Sequence, residues 1–362
     1  MTTPTSTSTS TADRQPATAR ALALPKVLLH DHLDGSLRIS TLLDLLRARG
    51  LASPAPDAAS LGAWFSANAH AGSLGKYLEG FALTVAAMAT TAALERVAYE
   101  ACVDAQAQGA VLAEFRIAPL LFESFGVQGE DAVEALLAGL ARSPLPLGTH
   151  SGLIVCGMRH LPPEEVERAA ILALKYQGRG VVAFDLAGAE FGFPPALHER
   201  SLQRVRDAGL GLTLHAGEAD SAERVLEAAR LGATRVGHGV RLVDALTDPA
   251  LEGLVDEARA RGLHLEVCPT SNVHTGAAQS IASHPITALW QAGISLSYHT
   301  DNTLMSCITQ AEEATALLLH TPLTDADLVQ MALQAARHSF LPASARDAAG
   351  AEIRRRAAAL GL

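Results

Sequence analysis

The chain lacks most of the features that would put it in a special class of protein. Its four cysteines, Cys102, Cys156, Cys268 and Cys307, are scattered through 362 residues without a CxxC pair. That excludes a disulfide-stapled scaffold and fits reduced, buried thiols in a cytoplasmic protein. No stretch of ~18 apolar residues runs free of charge, so no membrane span is expected. The opening MTTPTSTSTSTADRQPATAR is rich in Ser and Thr and has no apolar segment of the secretory kind. A disordered tail over residues 1–21 is expected; its shortness and Asp13 speak against an organelle transit peptide. Charged residues make up only 18%, and the formal net charge of −10 argues against nucleic acid or an acidic membrane surface as partner. No GxGxxG follows the first apolar strand, and no internal repeat or linker divides the chain.

What is present is a 49% hydrophobic share, ample for one large core. Short apolar, β-branched runs recur: KVLLHDHL, AVLAEFRI, GLIVCGM, GVVAFDLAG, GLTLHAGE, RVGHG, LHLEVCPTS and ISLSYHTD. Between them lie segments of helical spacing such as Pro162–Tyr176, Ala222–Leu231 and Ala250–Arg261, with Gly178, Gly180, Gly211 and Gly262 where helices should stop. Strand and helix in alternation predict a parallel sheet. Eight such strands predict an α/β fold of the (β/α)8 TIM-barrel type, with reactive groups at the C-terminal strand ends. A doubly wound open sheet is the runner-up. The segment Leu51–Glu100 is too long for one crossover helix, which predicts extra helices between the first and second strands covering the barrel mouth. Residues 22–362 are then a single domain.

Val27–Leu37 reads VLLHDHLDGSL, with two histidines one residue apart. On a strand, residues two apart share a face, so His30 and His32 would point the same way. Paired imidazoles fill a core poorly, because each carries nitrogens that need partners, but they hold a divalent metal well. The other strand ends supply Asp185 and Gly188, His215 and Glu218, His238, Ser271, and Asp301 with Asn302. If the barrel closes, His30, His32, His215 and Asp301 converge as a Zn²⁺-type ligand set that a water would complete. Each residue alone has an ordinary alternative. Asp301-Asn302 is also a helix-capping pair, His238 a core histidine and HAGE a turn.

From about Leu24 to Leu319 the sequence resembles the adenosine deaminase family of the amidohydrolase superfamily. The matching stretches, in the family's order, are HDHLDG, SLGKYLEGF, EFRIAP, CGMRH, DLAGAE, HAGE, GHG, CPTSN and HTDN. The resemblance implies zinc-dependent hydrolytic deamination of adenosine or 2′-deoxyadenosine at C6, giving inosine or 2′-deoxyinosine and ammonia, with one Zn²⁺ per chain. Such chemistry needs water activated near neutral pH, which a metal provides by lowering its pKa to ~7. The implied ligands are His30, His32, His215 and Asp301. His238 would take a proton from the metal's water or orient the resulting hydroxide, and Glu218 would carry a proton to N1. Asp34 would meet a ribose hydroxyl, Gly188 would offer its N–H to a ring nitrogen, and Asn302 would reach N7. Ser271 and Asp185 would support the metal from behind. Leu74, Tyr77, Leu78 and Phe81 would be either helix core or an apolar lid, whereas Cys268 and Met158 read as structural.

The chain departs from the family at Asn302, Ala189, His299 and Thr303, all expected near the pocket. An Asn amide donates to N7 without needing a proton, so Asn302 is compatible with adenine. The departures leave open a modified adenine nucleoside, such as a 5′-substituted adenosine or aminodeoxyfutalosine. Free adenine fits less well, since adenine deaminases of the superfamily usually carry Glu at the position of Asp34. AMP would want more basic residues than Lys76, and a dinuclear site would want a lysine on the fourth strand, where VVAFDLAG has none. A catalytically dead nucleoside sensor is disfavoured because every ligand and proton-handling residue is retained.

Overall fold

A computed structural model describes residues 11–70 and 74–362, with side chains for 15–70 and 79–362. Eight strands run parallel in sequential order. They are β1 (Lys26–Leu28), β2 (Ala110–Ile117), β3 (Ser151–Met158), β4 (Val181–Ala187), β5 (Gly211–Ala216), β6 (Arg235–His238), β7 (His264–Val267) and β8 (Ser295–Tyr298). All of β2 and nearly all of β3 and β4 are buried, as a parallel sheet covered by helices requires. The sheet curls, and the chain just beyond β8 meets the chain just beyond β1. There Asp301 N–H donates to His30 O (3.1 Å) and His32 N–H donates to Asp301 O (2.8 Å).

Helix α1 (Thr11–Ala23) precedes the sheet, and α2 (Ile39–Ala48), α3 (Ala58–Ala69), α4 (Leu74–Met88) and α5 (Thr91–Ala107) lie between β1 and β2. Later crossovers contribute α6 (Gly129–Ala141), α7 (Pro163–Lys175), α8 (Glu199–Asp207), α9 (Ala222–Arg230) and α10 (Leu254–Ala260). Helices α11 (Pro269–Thr275) and α12 (Ile286–Gln291) separate β7 from β8, and α13 (Gln310–His320), α14 (Asp325–His338) and α15 (Ala343–Ala359) end the chain. Among the described residues no single helix is long and apolar enough to cross a membrane.

Two expectations from sequence need correction. The first strand ends at Leu28, so His30 and His32 lie beyond it. They stay extended because isolated bridges, Asp31 with Asp301 and His32 with Arg116, pin each side of that segment in turn. The tail expected to be disordered through residue 21 is helical from Thr11. Ala21 is buried, and Lys26 Nζ donates to the carbonyls of Ala21 (2.5 Å) and Leu24 (2.8 Å), closing the helix end.

Charged side chains cross the interior of the sheet. Arg235 Nε donates to Glu266 (2.5 Å) and its Nη1 to Glu114 (2.6 Å), and Arg116 Nη1 donates to Asp185 (2.8 Å) while Nη2 pairs with Glu266. All five groups are fully buried. Removing one member strands charges that water cannot reach, at a cost of about 3–5 kcal/mol. Arg235→Met, close in volume, is therefore expected to shift the urea unfolding midpoint strongly downward. An unchanged midpoint would show that Glu114 and Glu266 do not depend on this guanidinium.

Candidate metal centre and active site

Two buried carboxylates set the orientation of two histidine rings. His30 Nδ1–H donates to Glu266 Oε2 (2.9 Å), and His215 Nδ1–H donates to the Asp185 carboxylate (3.0 Å). With the proton held on Nδ1, each ring turns an Nε2 lone pair toward the cluster. His30 Nε2 is fully buried and has no hydrogen-bond partner. It faces Asp301 Oδ1 at 3.3 Å, and His32 Nε2 lies 3.2 Å from His215 Nε2 and 3.5 Å from Asp301 Oδ1. Acceptors gathered this closely repel one another unless a proton or a cation lies among them. This donor set, three imidazoles and a carboxylate braced from behind, fits a divalent metal.

One ligand atom each from His30, His215, His238 and Asp301 also falls within a mutual 4.8 Å. Distances alone therefore bring five residues together: the four expected from sequence and His238. Asp301 is held from the far side, where Ser271 Oγ donates to its Oδ2 (2.6 Å). Asp301 and His238 both adopt left-handed backbone, φ 61° and 62°, strained values for non-glycine residues. Burial opposes charge on Asp185, yet His215 and Arg116 outweigh it and hold the carboxyl well below the usual range. Glu266 is kept ionised in the same way against burial by Arg116 and Arg235.

Glu218 and His238 sit side by side, with Glu218 Oε2 3.4 Å from His238 Nε2. Glu218 Oε1 accepts from Thr275 Oγ1 (2.7 Å) and Asn272 Nδ2 (3.1 Å). Oε1 is thus saturated, and a proton on this carboxyl belongs on Oε2. Asp34 is buried, its Oδ1 finds no hydrogen-bond partner, and burial pushes its carboxyl up to about 7. These groups open into a cavity of about 1190 Å³ whose lining includes His32, Asp34, Gly188, Glu218, His238 and Asn302. Gly188 has φ 92°, and a Cβ there would come within 2.8 Å of His160 Nδ1.

Ala189 and Asn302 line the cavity; Thr303 and His299 do not. Thr303 turns away to Ser36 O (3.0 Å), and His299 is buried beneath the site with Ser297 Oγ (2.7 Å). Met158, expected to be purely structural, also faces the cavity. Phe81 and Val85 of α4 line it, whereas the side chains of Leu74, Tyr77 and Leu78 lie outside the described residues.

Sequence reasoning passed over Arg116, Glu266, Asn272, Thr275 and Glu190. A charge in the middle of an apolar strand run, as in EFRI and HLEV, was the available signal for the first two. Glu190 closes DLAGAE, and its carboxylate accepts the N–H groups of Gly217, Glu218 (3.0 Å), Ala219 (2.7 Å) and Asp220 (3.2 Å). The turn that carries Glu218 is therefore shaped by one anion. Hydrogen bonds to a charged acceptor contribute about 1.5–3 kcal/mol each. Glu190→Gln is expected to speed amide exchange at 217–220 at least tenfold, with strand amides unaffected. Unchanged protection would show that the turn holds itself.

The family model described as adenosine deaminase matches residues 25–355. An adenosine deaminase of Mycobacteroides abscessus is 41% identical over 331 residues, 88% of this chain and 91% of that one. One from Mycobacterium tuberculosis is 40% identical over 330 residues, covering 88% and 90%. Among solved structures, an adenine deaminase from Arthrobacter aurescens superposes with a TM-score of 0.81 at 25% identity, covering 92% of this chain and 98% of its own. An amidohydrolase from Burkholderia ambifaria with bound Zn gives 0.82 at 25% identity, covering 99% and 97%. The fold is TIM-barrel-like, the chain is a hydrolytic deaminase acting on C–N bonds, and it belongs to the adenosine deaminase family.

Proposed function

We propose that this protein is a cytoplasmic zinc-dependent deaminase that converts adenosine and 2′-deoxyadenosine to their inosine counterparts with release of ammonia. The observation that carries the reading is the convergence of an unpartnered His30 Nε2, His32, His215 and Asp301 at a cavity that Glu218 and His238 also line. Deaminase relatives at about 40% identity support it, and four free cysteines support the compartment. We take residues 22–362 as one (β/α)8 barrel closed by the Asp31–Asp301 bridge, with α4 over its mouth.

Zn²⁺ held by His30, His32, His215 and Asp301 would supply Lewis-acid activation of the attacking water. Asp185, Glu266 and Ser271 fix those ligands. Asp34 binds the sugar hydroxyl, the Gly188 N–H meets a ring nitrogen, and the Asn302 amide donates to N7. Glu218 brings a proton on Oε2 to N1 as water adds to C6. One proton of that water restores the Glu218 carboxyl, the other passes from the C6 hydroxyl to the amino group, and the C6–N bond breaks to release ammonia. Phe81 and Val85 exclude solvent from one side. The cavity, about 1190 Å³, exceeds the roughly 300–1,000 Å³ usual for a small-molecule pocket. That excess favours, as a second reading, an adenine nucleoside with a substituent on its sugar.

An absorbance assay against adenosine, 2′-deoxyadenosine, a 5′-substituted adenosine and adenine separates these readings. Loss of the adenosine band with ammonia release is expected, and turnover confined to the 5′-substituted substrate would establish the second reading. Glu218→Gln is expected to keep its metal and lose turnover by about 10²–10⁴-fold, while His215→Ala is expected to lose the metal. Near-normal rates in Glu218→Gln would remove Glu218 as proton donor.

A further inference from the structure

Behind the site, in a chain of contacts that the reaction itself does not touch, sits His284. It is buried, and its Nδ1 accepts the backbone N–H of Ile286 at 3.0 Å. A backbone N–H can only donate, so a neutral His284 carries its proton on Nε2. Burial, with His238 nearby, lowers its pKa to about 3, which keeps the ring neutral. His284 Nε2 lies 3.3 Å from Asn272 Oδ1.

The orientation of the Asn272 amide is fixed from both ends. Turned the other way, its NH₂ would face the His284 Nε2–H, donor against donor. Its oxygen would then face Glu218 Oε1, acceptor against acceptor. In the allowed orientation, Nδ2 donates one hydrogen to Glu218 Oε1 (3.1 Å) and the other to His238 Nδ1 (3.0 Å). His238 Nδ1 is then an occupied acceptor, which leaves its ring proton on Nε2.

We propose that His284, acting through Asn272, locks the His238 ring with its proton on Nε2, so that His238 presents an N–H and not a lone pair to the reacting centre. The catalytic consequence rests on the deaminase reading; the lock itself does not. It divides the two roles that sequence leaves open for His238. A ring locked this way orients or stabilises oxygen as a donor, and it cannot take a proton at Nε2. Protonation at Nδ1 would require the Asn272 amide to turn against both His284 and Glu218. His284 is thus a positioning residue, and Asn272 is the link that aligns Glu218 and His238 together.

The test is ¹⁵N-histidine NMR of the full chain, metal-free and Zn²⁺-loaded, with the His238 signals assigned by their loss in His238→Gln. Wild-type protein is expected to show a protonated Nε2 and a bare Nδ1 at His238. His284→Phe fills the space but cannot donate, and it is expected to yield a mixture of both tautomers. Its kcat should fall about tenfold, a fraction of the 10²-fold that misplacing a catalytic group can cost, with KM little changed. His284→Gln restores a donor to Asn272 and should recover the wild-type tautomer and most of the rate. A bare Nε2 on His238 in the wild type overturns the proposal, as does His284→Phe with unaltered tautomer and rate. If His284→Phe does not fold, the wild-type spectrum and His284→Gln decide alone. A protonated Nε2 in a protein that turns over no adenine nucleoside would sink the deaminase reading and leave the lock standing.

Discussion

The site depends on a single guanidinium. Arg116 lies fully buried between Asp185 and Glu266 and binds both. Without it, two carboxylates out of reach of water would take up protons or move apart. With it, both stay charged, and each accepts a proton-bearing Nδ1 from a histidine above it. Two imidazoles thereby lose their freedom of tautomer and of rotation, and their Nε2 atoms are committed to one point in space. The direction in which these two rings point is set one layer below them.

This arrangement is costly, and the fold supplies the compensation. Five ionised groups inside one sheet need a partner for nearly every oxygen and N–H. Thr213 donates to Glu266 (2.9 Å), Ser339 donates to Glu114 (2.6 Å), and the Arg235 guanidinium stacks on Phe340 at 3.9 Å. The same strategy recurs at the rim. Glu190 shapes the turn that bears Glu218, and Asn272 couples Glu218 to His238. Residues that would meet substrate are thus held by residues that would not. The cavity they enclose is the part left free to differ among relatives, through positions such as Ala189 and Asn302.

Much of this was legible in the sequence. Short apolar runs at regular intervals located all eight strands, and the polar residues ending those runs located the histidines, Asp301 and Glu218. Periodicity reports burial, however, and not hydrogen bonding, so β1 was read five residues too long. The Ser/Thr-rich start looked unstructured because composition carries no information about docking. Its helix depends on the buried Ala21 and on Lys26 reaching back to its last carbonyls. Arg116 and Glu266 escaped notice because an isolated charge in an apolar run reveals its purpose only when the opposite charge, 150 residues away, is placed beside it. Thr303 and His299 were expected near the pocket because they flank its residues in sequence, yet one turns away and the other lies underneath.

Five side chains come close enough to share a cation, and only one grouping of four agrees with a donor role for His238. Element-specific anomalous scattering from crystals of the purified, metal-analysed protein would decide between the groupings. The expected result is a single zinc peak about 2.0–2.2 Å from Nε2 of His30, His32 and His215 and from an oxygen of Asp301, with His238 outside bonding distance. A peak bonded to His238 in place of His32, or no metal peak with the rings still clustered, would contradict it.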